Sequence, residues 1–197
     1  MHSAGCGCKA EYELGTSSNC LRGQIHLHGV RVFNSTSRPG FGSLIFKPYH
    51  SRLSEVTLCN DPSSDKELLF TVPFANPSDI SHLLVVNEGP DVLRLKLYVN
   101  RRNFDFGDVE AVTPTQELEI PPDHHGSFLH QLAPTKFKDV VDLAMYFEGT
   151  TGVEIRYIGL RGSTRARQEG VVDTQYEVVP SSSLYDSLAD WKNFKYV

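Results

Sequence analysis

The chain has 197 residues, of which 40% are hydrophobic and 22% are charged, as is usual for a folded globular protein. Its 19 basic and 24 acidic residues give a net charge of -5, which argues against nonspecific binding to nucleic acid or to an anionic membrane. No apolar run reaches the roughly 18 residues of a membrane span, and no apolar stretch typical of a signal peptide opens the sequence. We therefore expect one soluble domain in the cytoplasm, with the nucleus as a second location.

Residues 1–20 are rich in Gly, Ser and Cys, and this composition predicts a flexible tail. The whole chain contains four cysteines, namely Cys6, Cys8, Cys20 and Cys59. Cys6 and Cys8 supply two thiolates, fewer than the four ligands of a structural zinc site, although His2 and Cys20 would complete a set. We prefer a tail with reduced cysteines, and we predict no metal and no cofactor.

Short strands with alternating apolar residues follow this tail. Every second position is apolar over residues 68–74 and 93–100, which is typical of strands with one buried face. Further strands are predicted over residues 80–86, 118–120, 143–147 and 153–159. The residues expected to face the core are Phe70, Val72, Leu95, Leu97, Ile155 and Tyr157.

Turn-forming residues separate these strands. They are Asn, Asp, Pro, Ser and Gly, and they occupy residues 76–79, 87–91, 121–123 and 149–152. Many short strands with such turns and little helix predict an all-β sandwich or jelly roll.

The sequence NFDFGD, residues 103–108, places Asp105 between Phe104 and Phe106. An aspartate in such a turn usually caps backbone amides and less often serves as an acid or base. Aromatic side chains on a loop are typical anchors of protein interfaces. We take all three residues as candidates for partner binding.

A small basic cluster follows the strand that ends near residue 162. Arg161, Arg165 and Arg167 form either a solvated loop or a contact for an acidic partner. We include Arg161 and Arg165 among the candidate partner-binding residues.

The last segment, residues 180–197, has the pattern of a short amphipathic helix. Leu184, Leu188 and Trp191 are spaced i, i+4, i+7 after a run of serines that suits an N-cap. The apolar stripe either packs on the chain's own domain or inserts into a partner. The candidate partner-binding residues here are Leu188, Trp191 and Phe194.

Four stretches of the sequence resemble a known domain. They read KELLFTVPF, LRLKLYVNRRNFDFGDVEAVTPTQELE, KFKDVVDLAMYFEG and VEIRYIGLRG, beginning at residues 66, 93, 136 and 153. In order and spacing they resemble the PITH domain, which is found at the C-terminus of thioredoxin-like proteins and in stand-alone proteins. The Cys-x-Cys of the N-terminal tail is similar to that of the stand-alone members.

This resemblance implies a jelly-roll β-sandwich, similar to galactose-binding-like domains, over residues 21–179. It also implies association with the regulatory particle of the proteasome. We therefore expect a monomeric, non-enzymatic interaction module that binds this particle as an adaptor or regulator. We expect neither a membrane nor a nucleic acid as a partner.

A metal-dependent enzyme and an enzyme with a hydrolytic or phosphate-binding motif are less well supported by the sequence than an interaction module. His26 and His28 could contribute to a cupin-like metal site, with the third histidine chosen from His124, His125 and His130. Such a site also needs a carboxylate, and residues 31–33 supply none, so surface histidines are the simpler explanation. The chain also lacks a Gly-x-Ser-x-Gly motif and a phosphate-binding loop. We predict that the protein is not an enzyme.

The alternative function is binding of a small ligand or glycan, because the implied fold resembles sugar-binding sandwiches. Such a site needs a stacking aromatic residue beside carboxylate or amide groups, and the fold by itself supplies neither. The available loop aromatics are Phe41, Tyr49, Phe104 and Phe106. The sole tryptophan, Trp191, lies in the C-terminal segment.

Overall fold

The computed structural model describes residues 19–37, 40–63 and 65–164, and most regular structure within them is β-strand. The strands of this part are β1 Arg31–Phe33, β2 Leu58–Cys59, β3 Glu67–Asn87, β4 Leu93–Val99, β5 Gln116–Ile120, β6 Leu129–Gln131, β7 Val140–Glu148 and β8 Glu154–Thr164. Helix in the same residues consists of α1, Phe106–Ala111, and the 3-10 turns Leu21–Gln24, Leu27–Gly29, Phe41–Ile45 and Tyr49–Ser51. These strands pair antiparallel, which confirms the predicted all-β fold.

The long strand β3 passes through both layers of a β-sandwich. Up to Pro73 it pairs with β1 and β7, whereas from Ser78 onward it pairs mainly with β6 and β8. Hydrogen bonds join all eight strands into one sheet, in which β3 connects a larger layer of order β1-β3-β7-β4-β5 to a smaller layer of order β6-β3-β8-β2. The apolar face of each layer is buried against the other. The fold is the predicted jelly-roll β-sandwich.

Alternate residues of the strands form the core between the two layers. Leu68, Phe70 and Val72 of β3 are at most 1% exposed, and Leu95 and Leu97 of β4 are fully buried. The same cluster contains residues of the smaller layer, among them Leu83, Val85, Ile155 and Ile158. Removing each such side chain from water contributes roughly 1.5–3 kcal/mol to folding. The core therefore contains residues of both layers, as the alternation of apolar residues predicts.

Tyr157 is the exception among the residues expected to face this core. It is buried in a separate cluster that contains Leu84, Val86 and Tyr49. In the pairing of β3 with β8, Val86 lies opposite Tyr157 and Asn87 lies opposite Ile155, so β8 has one extra residue here. This bulge reverses the alternation, and Ile158 faces the core in its place. The inward prediction for Tyr157 is therefore wrong.

The predicted turn over residues 76–79 is instead part of β3. The register between β3 and β7 shifts between Pro73 and Ser78, so the strand bulges at this point. The Asn76 side-chain amide donates a hydrogen bond to the Gln24 side chain at 3.1 Å. The residue types of this segment favour a turn, but contacts with residues distant in sequence keep it extended.

Gly162 lies where β8 comes very close to β3. A Cβ added at this glycine would lie 1.9 Å from the backbone oxygen of Asp79. Gly162 pairs with Ile80, directly before a register shift between Ile80 and His82. Only glycine permits this approach without movement of the backbone, which explains the last residue of the sequence YIGLRG.

Helix α1 packs on the outer face of the larger layer. Its residue Val109 lies in one buried cluster with Leu69, Tyr98 and Tyr146, which point away from the main core. The hydroxyl of Tyr98 donates a hydrogen bond to the backbone oxygen of Val109 at 3.1 Å. Within the described part of the chain, no helix combines the length and apolar character required to cross a membrane.

Candidate binding site

Phe104 and Asp105 of the candidate loop have structural roles. Phe104 is 2% exposed and its ring packs on that of Tyr98, so a partner has no access to it in this fold. Asp105 is the N-cap of α1, and its carboxylate accepts hydrogen bonds from the N–H groups of Gly107 at 2.9 Å and Asp108 at 3.3 Å. The Asp108 carboxylate accepts the N–H of Asp105 at 3.1 Å and completes a capping box. The expectation that Asp105 caps backbone amides is confirmed.

Phe106, the first residue of α1, packs at the edge of the cluster that buries Phe104. Its ring makes edge contacts with Phe33, at a centroid distance of 6.5 Å, and with Tyr146, at 6.3 Å. Phe33 is the last residue of β1 and Tyr146 lies in β7, so three separate elements bring these rings together. Such edge-to-face contacts are favourable and hold aromatic side chains in defined positions.

The three rings line a pocket of about 610 Å³ on the outer face of the larger layer. Val109 and Asn34 also line it, and its ionisable groups besides Tyr146 are the carboxylates of Asp65, Glu67 and Glu110. The aromatic rings and Val109 are buried or half-buried, whereas Asp65 and Glu110 are exposed. The site therefore has an aromatic floor and a carboxylate rim, and we term it the aromatic-acidic pocket.

Asn34 connects the aromatic part of the pocket to its acidic part. Its backbone has a φ of 64°, a left-handed conformation that asparagine adopts more readily than most residues. From this position the side-chain amide donates hydrogen bonds to the backbone oxygens of Asp65 at 2.8 Å and Glu67 at 2.9 Å. Asn34 thus fixes the segment that carries two of the three carboxylates beside the end of β1.

The rings of the pocket lie close to charged groups of both signs. Burial, together with a hydrogen bond to the Glu67 carboxylate, raises the pKa of Tyr146 above its ordinary value, so its hydroxyl remains a neutral donor. The Lys96 ammonium lies 5.4 Å from the centroid of the Tyr146 ring, and the Arg31 guanidinium carbon lies 5.9 Å from that of Phe33. These distances are within the range of cation–π contacts.

Arg161 lies away from this pocket, in β8 opposite His82. It is half-buried and lines a smaller cavity of about 160 Å³, together with Cys20, Arg22, His50 and Tyr157 among others. The structure therefore does not bring Arg161 together with Phe106. The remaining predicted binding residues, Arg165, Leu188, Trp191 and Phe194, lie outside the described residues.

The His26-Leu27-His28 segment does not form a strand, contrary to what the metal-site alternative requires. The N–H of Gly29 donates to the backbone oxygen of His26 at 2.8 Å, and the segment forms a 3-10 turn. The His26 and His28 rings meet edge-on with centroids 6.5 Å apart. In the parts of the chain that the structure describes, no group of three or more His, Cys, Asp or Glu residues could hold a metal ion.

Of the residues that line the aromatic-acidic pocket, the sequence indicated Phe106 and none of the others. Tyr146 does carry a usable signal, because its neighbours Met145 and Phe147 face the core and the alternation therefore places it on the outer face. Phe33 and Glu110 carry no comparable signal. Their proximity depends on the pairing of β1 with β3 and on the packing of α1.

Comparison with known proteins identifies the family. The sequence profile of the PITH domain matches residues 12–180, which is most of the chain. The chain belongs to the PITH domain family. The aromatic-acidic pocket lies entirely within the matched range and is thus part of the PITH domain.

Several curated PITH proteins are similar along much of their length. The PITH domain-containing protein 1 of Dictyostelium discoideum is 28% identical over 141 residues, which cover 69% of each chain. A PITH domain-containing protein of Schizosaccharomyces pombe is 32% identical over 155 residues, covering 74% of this chain and 73% of the relative. The PITH domain-containing protein 1 of Homo sapiens is 28% identical over 183 residues, covering 88% and 85%.

Solved structures with a similar fold include proteins that were determined with sugars. A GH29 fucosidase of Ruminococcus gnavus in complex with fucose has a TM-score of 0.48 and 12% identity, over 79% of this PITH chain and 29% of the enzyme. TmCBM61 in complex with β-1,4-galactotriose has a TM-score of 0.33 and 12% identity, over 77% and 94%. At this level of similarity, the sugars are informative about those proteins and not about this chain.

Proposed function

We propose that this chain is a non-enzymatic protein-interaction module that binds the regulatory particle of the proteasome. The observation that carries the proposal is the PITH family match over residues 12–180, because the resemblance to this domain implies that partner. The protein acts there as an adaptor or regulator, in the cytoplasm and in the nucleus.

The aromatic-acidic pocket supports a binding role. Protein interfaces are typically anchored by a few aromatic side chains in partly desolvated positions, with a polar rim around them. Phe106 and Phe33 are half-buried and Tyr146 is buried, while Asp65 and Glu110 are exposed at the edge. The pocket therefore offers a partner an apolar contact and several hydrogen-bond acceptors in one place.

The C-terminal segment is the second proposed contact, on the basis of its sequence alone. The stripe Leu184, Leu188 and Trp191, followed by Phe194, has the spacing of a helix that inserts into a groove. If it contacts the partner, truncation after Pro180 leaves the melting temperature unchanged and lowers binding. If it packs on its own domain, the same truncation lowers the melting temperature.

The proposal can be tested by native affinity capture with the tagged full-length chain. We expect the captured material to contain the intact regulatory particle, identified by mass spectrometry. Phe106→Ala should reduce the captured amount, and the matched control Phe128→Ala should not, because Phe128 is 52% exposed and does not line the pocket. Failure of the wild-type chain to capture the regulatory particle would contradict the proposal.

A second candidate function, glycan binding, is favoured by the composition of the same pocket. Sugar-binding sites combine a stacking aromatic ring with carboxylate or amide groups, and Phe106, Asn34 and Glu110 supply these types here. A glycan array with the full-length chain tests this candidate. Binding to a defined glycan that Phe106→Ala abolishes would favour it over the proteasome proposal, whereas an array without binding would eliminate it.

A further inference from the structure

We propose that the aromatic-acidic pocket binds an arginine side chain presented by an extended segment of a protein partner. This inference rests on the proposed function for the nature of the partner, which is a protein. It adds the chemistry that the pocket recognises.

The charge of the pocket favours a cation. Asp65, Glu67 and Glu110 line it, and no basic side chain does so among the described residues. Two basic groups, those of Lys96 and Arg31, lie beside its rings without being lining residues. The carboxylate rim thus leaves acceptors for a cation from outside, and a negatively charged partner group would be repelled.

The rings and the carboxylates together favour a guanidinium group over an ammonium group. Contacts of this kind already exist at the margin, because the Arg31 guanidinium lies over Phe33 and the Lys96 ammonium over Tyr146. A planar guanidinium can stack on an aromatic ring such as Phe106 and can also donate two parallel hydrogen bonds to a carboxylate. An ammonium group can lie over a ring and donate to a carboxylate, but it has neither a planar face that stacks nor a fork of two parallel donors, so the combination of rings and carboxylates favours arginine.

The size of the pocket indicates that more than one side chain enters. A volume of about 610 Å³ lies in the middle of the range of roughly 300–1,000 Å³ that is usual for ligand sites. An arginine side chain fills only part of this space. The adjoining residues of an extended segment can therefore contact Val109 and Phe33 while the guanidinium reaches the rim.

The inference can be tested by NMR titration of the full-length, ¹⁵N-labelled chain with N-acetyl-arginine N-methylamide. We expect chemical-shift changes at Phe33, Asn34, Phe106 and Glu110. The matched control is the citrulline analogue, which has nearly the same shape but no charge, and its affinity should be lower by about tenfold or more because both the cation–π and the charge-assisted contacts are lost.

Two double variants show whether the carboxylates of the pocket are the ones that bind the arginine analogue. Asp65→Asn combined with Glu110→Gln removes two exposed carboxylates of the rim while keeping side-chain size, and it should weaken binding of the arginine analogue several-fold. Glu55→Gln combined with Glu119→Gln removes two exposed carboxylates outside the pocket and should leave binding unchanged. Equal weakening by both pairs would indicate a nonspecific charge effect and would overturn the inference.

Other occupants give different results in the same spectra. Equal binding of both analogues, no binding, or shifts at the pocket with galactose alone would overturn the inference. Binding of arginine only after truncation at Pro180 would overturn the inference in favour of the chain's own C-terminal segment as the occupant. Shifts that depend on protein concentration would overturn it in favour of a second copy of the chain. Arginine binding without proteasome capture would refute the proposed partner and not the pocket chemistry, whereas capture without arginine binding would refute only the pocket chemistry.

Discussion

The ring of Phe104 packs on the ring of Tyr98, with centroids 4.5 Å apart and planes inclined by 37°. Two residues later, Phe106 points instead toward Phe33 and the aromatic-acidic pocket. Asp105, the N-cap of α1, lies between the two residues in the sequence. One short loop therefore supplies a core residue and a pocket residue, and the two should respond differently to mutation.

Phe104→Ala should lower the free energy of unfolding by about 3–5 kcal/mol, as is usual for a buried aromatic side chain. Phe106→Ala should cost clearly less, because Phe106 is only half-buried. Chemical denaturation of both variants measures the difference. Equal losses for the two variants would show that the assignment of Phe106 to the pocket is wrong.

Asp105→Ala should destabilise the protein by about 1 kcal/mol, since the N–H groups of Gly107 and Asp108 lose their acceptor. Asp105→Ser should recover most of this loss, because serine is also a good N-cap residue. The melting temperatures of the two variants, compared with that of the wild type, measure these changes in stability. An Asp105→Ala protein as stable as the wild type would argue against the capping role.

Gly162→Ala should be strongly destabilising, because the added methyl group would overlap the backbone oxygen of Asp79. Gly23→Ala is a suitable control, since nothing lies within 4 Å of a Cβ added there. We expect a large fall in melting temperature for the first variant and little change for the second. Similar melting temperatures for both would contradict the close approach of β8 to β3.

Stability should decrease as the pH falls below about 6.5, the ordinary pKa of histidine. Burial of His130 lowers its pKa in the folded state, although the nearby Asp123 carboxylate opposes this shift. The unfolded chain therefore takes up a proton before the folded chain does, so this contribution is present above pH 6.5 and is lost as the pH decreases toward the folded pKa.

The corresponding measurement is the free energy of unfolding between pH 7 and pH 5. His130→Gln should show a shallower decrease than the wild type, and His50→Gln, which removes an exposed histidine, serves as the control. The same slope in all three proteins would exclude His130 as a source of the pH dependence.

The strands were predictable where one face is buried throughout. The alternation over residues 93–100 locates β4, and its apolar residues Leu95 and Leu97 are fully buried as expected. The continuity of β3 was not predictable, because its middle has turn-forming residues that distant contacts hold extended. The orientation of Tyr157 depends on a bulge in the pairing with β3, and no local pattern in β8 indicates it.

The binding site was predictable only in part, for a similar reason. The sequence around Asp105 indicated both the cap and the aromatic residue Phe106. The partners of Phe106 are Phe33 and Tyr146, which lie far away in sequence and meet it only through the sheet and α1. Sites built by tertiary packing cannot be located from residue types along one segment, even when each strand is correctly predicted.

The most direct test of the proposed function compares binding of the purified full-length chain to proteasomes that contain the regulatory particle and to proteasomes that lack it. Sedimentation of the labelled chain with each particle measures binding without other cellular proteins. We expect co-sedimentation only when the regulatory particle is present. Absence of co-sedimentation with both particles, or equal co-sedimentation with both, would contradict the account.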